Sequence, residues 1–245
     1  MVERLSGHKL QGGLKVTIKV RLLSNFIDYY DHHFDGYTAE IVFERKSTGG
    51  MRRQEMLEYL KSLKLNVPLF GKPAEICNQL RQRYNMPDDV VDFPQYVVVH
   101  LDETAHCGEG KIRLPLNDAL KFYPDHLTVE YVFALPSGLG QSWRYLQIGD
   151  KKFWLRYTSK NDWRSNYGDV EIEMVYREED GYHPEIDVPL FAIDFIVVQG
   201  EFYAIDFNVA PGIRGAGIEN ILHGVEVVEA IKWAIKRRKY NVSGA

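Results

Sequence analysis

Phe191-Ala192-Ile193-Asp194-Phe195-Ile196-Val197-Val198, then Gln199-Gly200-Glu201, then Phe202-Tyr203-Ala204-Ile205-Asp206-Phe207-Asn208, decides how this chain folds. Two apolar runs flank a short polar turn, which is the pattern of a β-hairpin. Each run carries an aspartate among residues that read as buried, and an ionised carboxylate there is costly unless it is paired or bound to a cation. Asp206 and Asn208 are two positions apart, so they point to one face of a strand, and the hairpin brings Asp194 beside them. Three hard oxygen donors without imidazole or thiolate suit Mg2+ held jointly with nucleotide phosphates, rather than zinc or copper. The other reading is that arginines answer the two aspartates, with Arg144 and Arg156 as candidates.

Downstream, Pro211-Gly212-Ile213-Arg214-Gly215-Ala216-Gly217 opens a last helix from Gly217 to about Arg238. Its apolar face carries Ile218, Ile221, Leu222, Val225, Val228 and Ile231. A glycine-rich turn before a helix can present backbone N–H groups to an anion, and glycines also serve plain turns. Lys236 to Lys239 sit where the helix dipole favours positive charge. Upstream, strands are expected at Tyr96 to Leu101, Leu127 to Phe133, Trp143 to Ile148, Lys152 to Tyr157 and Val170 to Val175. Helices are expected from Gln54 to Leu65 and from Pro73 through Leu80. Leu14 to Leu23 alternates as a half-buried strand, Thr38 to Glu44 is a second candidate, and a small N-terminal unit ends near residue 50. The mixture is α+β. His32 and His33, with Asp28, Asp31, Asp35, Tyr29 and Tyr30, form a polar-aromatic cluster that reads either as a hydrated turn with aromatic anchors or as a second metal or acceptor site.

At 245 residues and 45% hydrophobic content the chain can bury a large core, in one or two closely packed domains. A net charge of -4 without long single-sign blocks gives no electrostatic footprint for nucleic acid, and none is expected as a partner. Cys77 and Cys107 have neither disulfide-framework nor zinc-ligand spacing, which fits a reducing cytoplasm. No apolar run approaches the roughly 18 to 20 residues needed to cross a bilayer, and the N-terminus lacks the apolar core of a secretory signal.

The run Asp194, Asp206, Asn208, Ala210-Pro211-Gly212, Gly217-Ile218-Glu219 resembles the C-terminal half of the ATP-grasp fold, and is most similar to RimK-like carboxylate-amine ligases. The resemblance covers roughly residues 50 to 235. It implies two α+β lobes sandwiching a nucleotide (51–133 for nucleotide binding, 134–245 for metal and substrate), with a shortened pre-ATP unit at 1–50. Glu130, Tyr131 and Val132 resemble the hinge that contacts adenine. Cys107-Gly108-Glu109-Gly110-Lys111-Ile112 resembles the glycine loop over the phosphates, and Asn161-Asp162-Trp163-Arg164-Ser165-Asn166 the family's aromatic-basic-Ser-Asn segment.

The implied reaction consumes ATP with Mg2+ on Asp194, Asp206 and Asn208. A carboxylate is activated as an acylphosphate and captured by an amine or other nucleophile, peptides and protein termini included. Arg144, Arg156, Arg164 and Asn166 are implied at the transferring groups, and Arg214 at the acceptor. The family's two phosphate-binding lysines fall by register on Arg53 and His100, with Lys111 placed to compensate. Lysine restored at position 100 is therefore expected to tighten Mg-ATP binding by about 1 kcal/mol. The changed lysines also leave open a non-catalytic nucleotide-binding or interaction protein on the same fold.

Overall fold

A computed structural model describes residues 52–87, 95–105, 108–175 and 190–208, and residues 186, 211, 218, 221, 222, 226, 229, 230 and 233. The N-terminal unit, its two expected strands, the histidine-aspartate cluster and Arg214 lie outside the described residues. In chain order the elements are α1 (Arg53–Ser62), β1 (Phe70–Gly71), α2 (Pro73–Tyr84), β2 (Tyr96–His100), β3 (Lys111–Pro115), α3 (Leu116–Phe122), β4 (Thr128–Glu130), β5 (Gln141–Ile148), β6 (Lys151–Ser159), β7 (Val170–Met174), β8 (Leu190–Val198) and β9 (Glu201–Asn208).

The architecture is α+β, with two antiparallel sheets ordered β1-β4-β2-β3 and β7-β6-β5-β8-β9. α2 starts where proline is tolerated, at Pro73, and the Glu75 carboxylate accepts from the Lys72 N–H at 2.9 Å. It stops at Asn85, which is left-handed with φ 49°. Its Ile76, Cys77 and Leu80 join Val97, Val99, Leu116 and Ala119 in one core cluster. Strand periodicity then sends Val98 and His100 to the opposite face of the small sheet, into the cleft between the sheets.

The large sheet buries an aromatic cluster of Tyr145, Trp154, Phe191, Phe195 and Phe207 against Met56, Leu57 and Leu60 of α1. Each such side chain contributes roughly 1.5 to 3 kcal/mol on burial. α1 thus ties the start of the described chain to the sheet that carries the two aspartates. Of the expected last helix, positions 226, 229, 230 and 233 are helical, with Ala230 buried, whereas Ile218, Ile221 and Leu222, expected on the same helix, lie in a tight turn ahead of it. No helix among the described residues is long and apolar enough to cross a membrane.

Candidate functional site

The hairpin forms as its sequence demands, and its turn is Gln199-Gly200 with φ 52° and 86°. Two consecutive positive φ angles match the right-handed strand twist. Nothing lies within 4 Å of a Cβ built on Gly200, so glycine is needed there for φ alone. From the turn, pairing runs in register to Phe195 opposite Ala204, and there one residue is skipped: Asp194 pairs with Asp206, and Ala192 with Asn208. Without that bulge at Ile205, Asp194 would face Ile205. Because side chains alternate with period two, Asp206 and Asn208 would then lie on the other face.

Both aspartates meet arginines. Arg144 on β5 grips Asp194 with Nε to Oδ1 at 2.7 Å and Nη2 to Oδ2 at 2.8 Å. Burial opposes the charge on Arg144, but the Asp194 carboxylate outweighs it and raises the guanidinium pKa above its ordinary value. Arg53 donates to Asp206 Oδ1 and to the Ile205 carbonyl, each at 3.2 Å. Arg156, the other candidate, is not brought to the cleft. It pairs with Glu173 across β6 and β7 and stacks over Trp143 at 5.6 Å.

On the opposing wall His100 and Lys111 are direct cross-strand partners, and both line the cleft with Arg53 and Asp206. Burial, with Arg53 and Lys111 nearby, lowers the His100 pKa to about 3, so the ring is neutral. Burial and Arg53 likewise lower Lys111 to about 8. Among the described residues, no carboxylate lies within ion-pair distance of its ammonium, which sits 5.6 Å over the Trp163 ring.

Lysine at position 100 carries a cost to the unliganded fold beside the expected gain in affinity. A third cation would be buried between Arg53 and Lys111, and His100→Lys should destabilise the fold. The neutral ring has a further consequence. A folded pKa near 3 lies below the ordinary 6.5, so the unfolded chain binds the extra proton between those values. Stability is intact above about pH 6.5 and falls toward pH 3, by about 2 kcal/mol between pH 6.5 and 5 at about 1.4 kcal/mol per unit. Urea titrations at the two pH values should show His100→Gln losing less stability than the parent; equal losses would contradict a buried neutral ring.

Glu130 is 8% exposed, and its register opposite Val97 turns its side chain to the helix-covered face. There it accepts from Arg83 at 2.7 Å and from the Leu69 N–H at 3.2 Å. Its carboxylate is thus a structural tie, and what position 130 offers a ligand is backbone. Tyr131 and Val132 follow directly and line the cleft.

In the loop after β6, Asp162 takes both Nε and Nη2 of Arg164 at 2.8 Å, and these bonds lower the Asp162 pKa. Arg164 Nη1 donates to the Gly108 carbonyl at 3.1 Å and the guanidinium stacks 3.5 Å over Tyr167. Gly108 and Gly110 both have positive φ, 81° and 63°. A Cβ on Gly108 would come within 3.1 Å of Asn166 Oδ1, so the glycine loop and the Asn166 segment touch.

The donor set fits Mg2+ only in part from protein alone. Among the described residues no three His, Cys, Asp or Glu side chains cluster as a metal site. Asp206 Oδ1 is occupied by Arg53 and the Phe207 N–H, and both Asp194 oxygens by Arg144. Asp206 and Asn208 are hard oxygen donors on one face, and Mg2+ takes one or two carboxylates with the rest from phosphate and water. On that count the residues fit an ion completed by a nucleotide, with Asp194 held behind it.

No protein-family model and no curated protein matches the chain. Solved structures similar to it include D-alanine–D-alanine ligases and ATP-grasp proteins. D-alanine–D-alanine ligase from Bacillus anthracis complexed with ATP is 13% identical with a TM-score of 0.48, over 78% of this chain and 67% of that one. A RiPP-associated ATP-grasp ligase from Chryseobacterium gregarium, in complex with ADP and a leader and core peptide, is 12% identical with a TM-score of 0.42, over 73% and 57%. A RimK domain ATP-grasp protein from Sphaerobacter thermophilus is 13% identical with a TM-score of 0.38, over 75% and 66%. The chain thus spans between 57% and 67% of the length of these three structures.

Proposed function

We propose that this chain is an ATP- and Mg2+-dependent ligase with the ATP-grasp fold, joining a carboxylate to an amine or other nucleophile in the cytoplasm. The observation that carries the reading is the pairing of unlike walls across one cleft: oxygen donors Asp206 and Asn208 on β9, and on β3 the Lys111 ammonium, which has no carboxylate partner among the described residues. A nucleotide triphosphate with its cation satisfies both walls at once. Residues 51–133 and 134–245 are taken as the two lobes.

In this reading Tyr131 and Val132 take the adenine, while Arg53, Lys111 and Arg164 neutralise the phosphates. Bound Mg2+ on Asp206 and Asn208 supplies further charge neutralisation. The substrate carboxylate oxygen attacks the γ-phosphorus as the bond to ADP breaks; the nucleophile then attacks the acyl carbon and releases phosphate. The chain's contribution is positioning and electrostatic stabilisation, which suits a cleft rich in cations. Arg144 acts by holding Asp194, and Arg214 is assigned to the acceptor by resemblance.

A second reading, a nucleotide-binding protein without turnover, is favoured by the neutral His100 at a lysine position and by the saturation of Asp194 by Arg144. Calorimetry with Mg-ATP, alongside ADP release over pooled carboxylates, amines and peptides, separates the two. Binding with substrate-dependent ADP release is expected. Binding without release favours the second reading, and no binding rejects both.

A further inference from the structure

Residues 131–140 run between β4 and β5 and form the passage from one sheet to the other. Their ends are anchored: the Tyr131 N–H donates to the Tyr96 carbonyl at 3.0 Å, and the Gly140 N–H to the Asp162 carbonyl at 2.8 Å. Gly140 approaches the neighbouring loop so closely that a Cβ there would come within 2.4 Å of the Arg164 backbone. Between those anchors the backbone has no regular structure.

Arg113 spans this gap. It stands two residues from Lys111 on β3, so both side chains leave the same face of the strand. Its Nη1 donates to Tyr131 Oη at 3.0 Å and to the Gly138 carbonyl at 3.2 Å, joining the start of the connector to its end. Tyr131 Oη also donates to the Gly138 carbonyl, at 3.4 Å. The guanidinium lies 4.8 Å from the Tyr131 ring centroid, 5.6 Å from Trp163 and 5.9 Å from Tyr96. Those rings come from the connector, the loop after β6 and β2, so a single cation touches parts of both sheets. Among the described residues no carboxylate pairs with it, so carbonyl, hydroxyl and ring faces hold its charge.

We propose that Arg113 is a positioning residue: it staples the connector and thereby fixes the Tyr131–Val132 wall against which a nucleotide base rests. The staple stands on the contacts above; the base as its beneficiary rests on the ligase reading. A planar fork with two acceptors on one nitrogen and rings on its faces is matched only partly by lysine, which keeps the charge and loses the fork.

The test compares Arg113→Leu and Arg113→Lys with the parent by amide hydrogen exchange and by ATP kinetics. In Arg113→Leu, amides 132–140 should exchange about tenfold faster, and KM for ATP should rise about tenfold with kcat within about twofold. Arg113→Lys should recover part of the KM loss, because the charge over the rings returns while the fork does not. Should Arg113→Leu fail to fold, Tyr131→Phe removes only the hydroxyl and should move exchange and KM in the same direction by a smaller amount. Unchanged exchange overturns the staple. Faster exchange with kcat and KM falling together, or without rescue by lysine, overturns the positioning role. If the parent binds no nucleotide, the ligase reading fails and the base contact with it, while the exchange comparison still decides the staple.

Discussion

Asp206→Asn is expected to lower Mg2+-dependent ADP formation by a factor on the order of 10^3 while leaving the fold standing. The carboxylate is one of two hard donors on the cleft face of β9, and the amide keeps its shape while removing its charge. The same substitution barely threatens stability. The Arg53–Asp206 pair spans 3.2 Å with its side chains 20% and 38% exposed, and such pairs contribute about 0 to 1 kcal/mol. An Asn oxygen can still accept from Arg53. Turnover and melting temperature measured on one preparation therefore separate chemistry from folding. Retained turnover would remove Asp206 from the site and the magnesium assignment with it.

Lys111→Met should move binding and stability in opposite directions. The ammonium lines the cleft and has no carboxylate partner among the described residues, and a charge-assisted bond to phosphate contributes about 2 to 3 kcal/mol, so Mg-ATP affinity should fall roughly 30- to 150-fold at pH 7. In the unliganded protein the effect reverses. Burial and Arg53 lower the folded pKa to about 8, below the ordinary 10.5, so the unfolded chain binds the proton more tightly between those values. The charged form costs stability below about pH 8, and the cost is relieved as pH rises toward 10.5. Methionine removes the cost and should raise the melting temperature at pH 7. In the parent, affinity should fall about tenfold between pH 7 and 9 as the ammonium deprotonates, and binding at pH 8 should take up about half a proton. Calorimetry in two buffers of different ionisation heat reads that uptake. A Lys111→Met variant with unchanged affinity would leave the cleft without its phosphate partner.

The hairpin was legible because Asp194 and Asp206 interrupt apolar runs flanking a turn, and its convergence with Asn208 was legible from period two. The bulge at Ile205 was not, since nothing in Ala204-Ile205-Asp206 distinguishes a skipped residue from a paired one; the convergence depends on it all the same. That arginines would answer both aspartates was open in the sequence. That Arg144 takes Asp194, while Arg156 goes to Glu173 and Arg53 to Asp206, follows from strand order, which local pattern does not contain. The resemblance places Lys111 and Ile112 in the glycine loop, whereas they open β3, where Lys111-Ile112-Arg113-Leu114 alternates charge and hydrocarbon. That alternation was the signal that could have found Arg113. Glu130 looked like a ligand contact, and its register opposite Val97 made it a tie to Arg83.

The skipped residue at Ile205 gives the site a dependence on counting as well as on chemistry. Replacing Ile205 by another apolar residue leaves the spacing intact, because the position contributes one unit of backbone. Deleting it closes the bulge: Ala204 stays opposite Phe195 and Asp206 opposite Asp194, so the two donors keep the cleft face, and what is lost is the extra carbonyl that accepts from Arg53. In any lineage of such chains a one-residue loss should therefore be tolerated at position 205 and not at 207, where it would turn Asn208 to the other face of the strand.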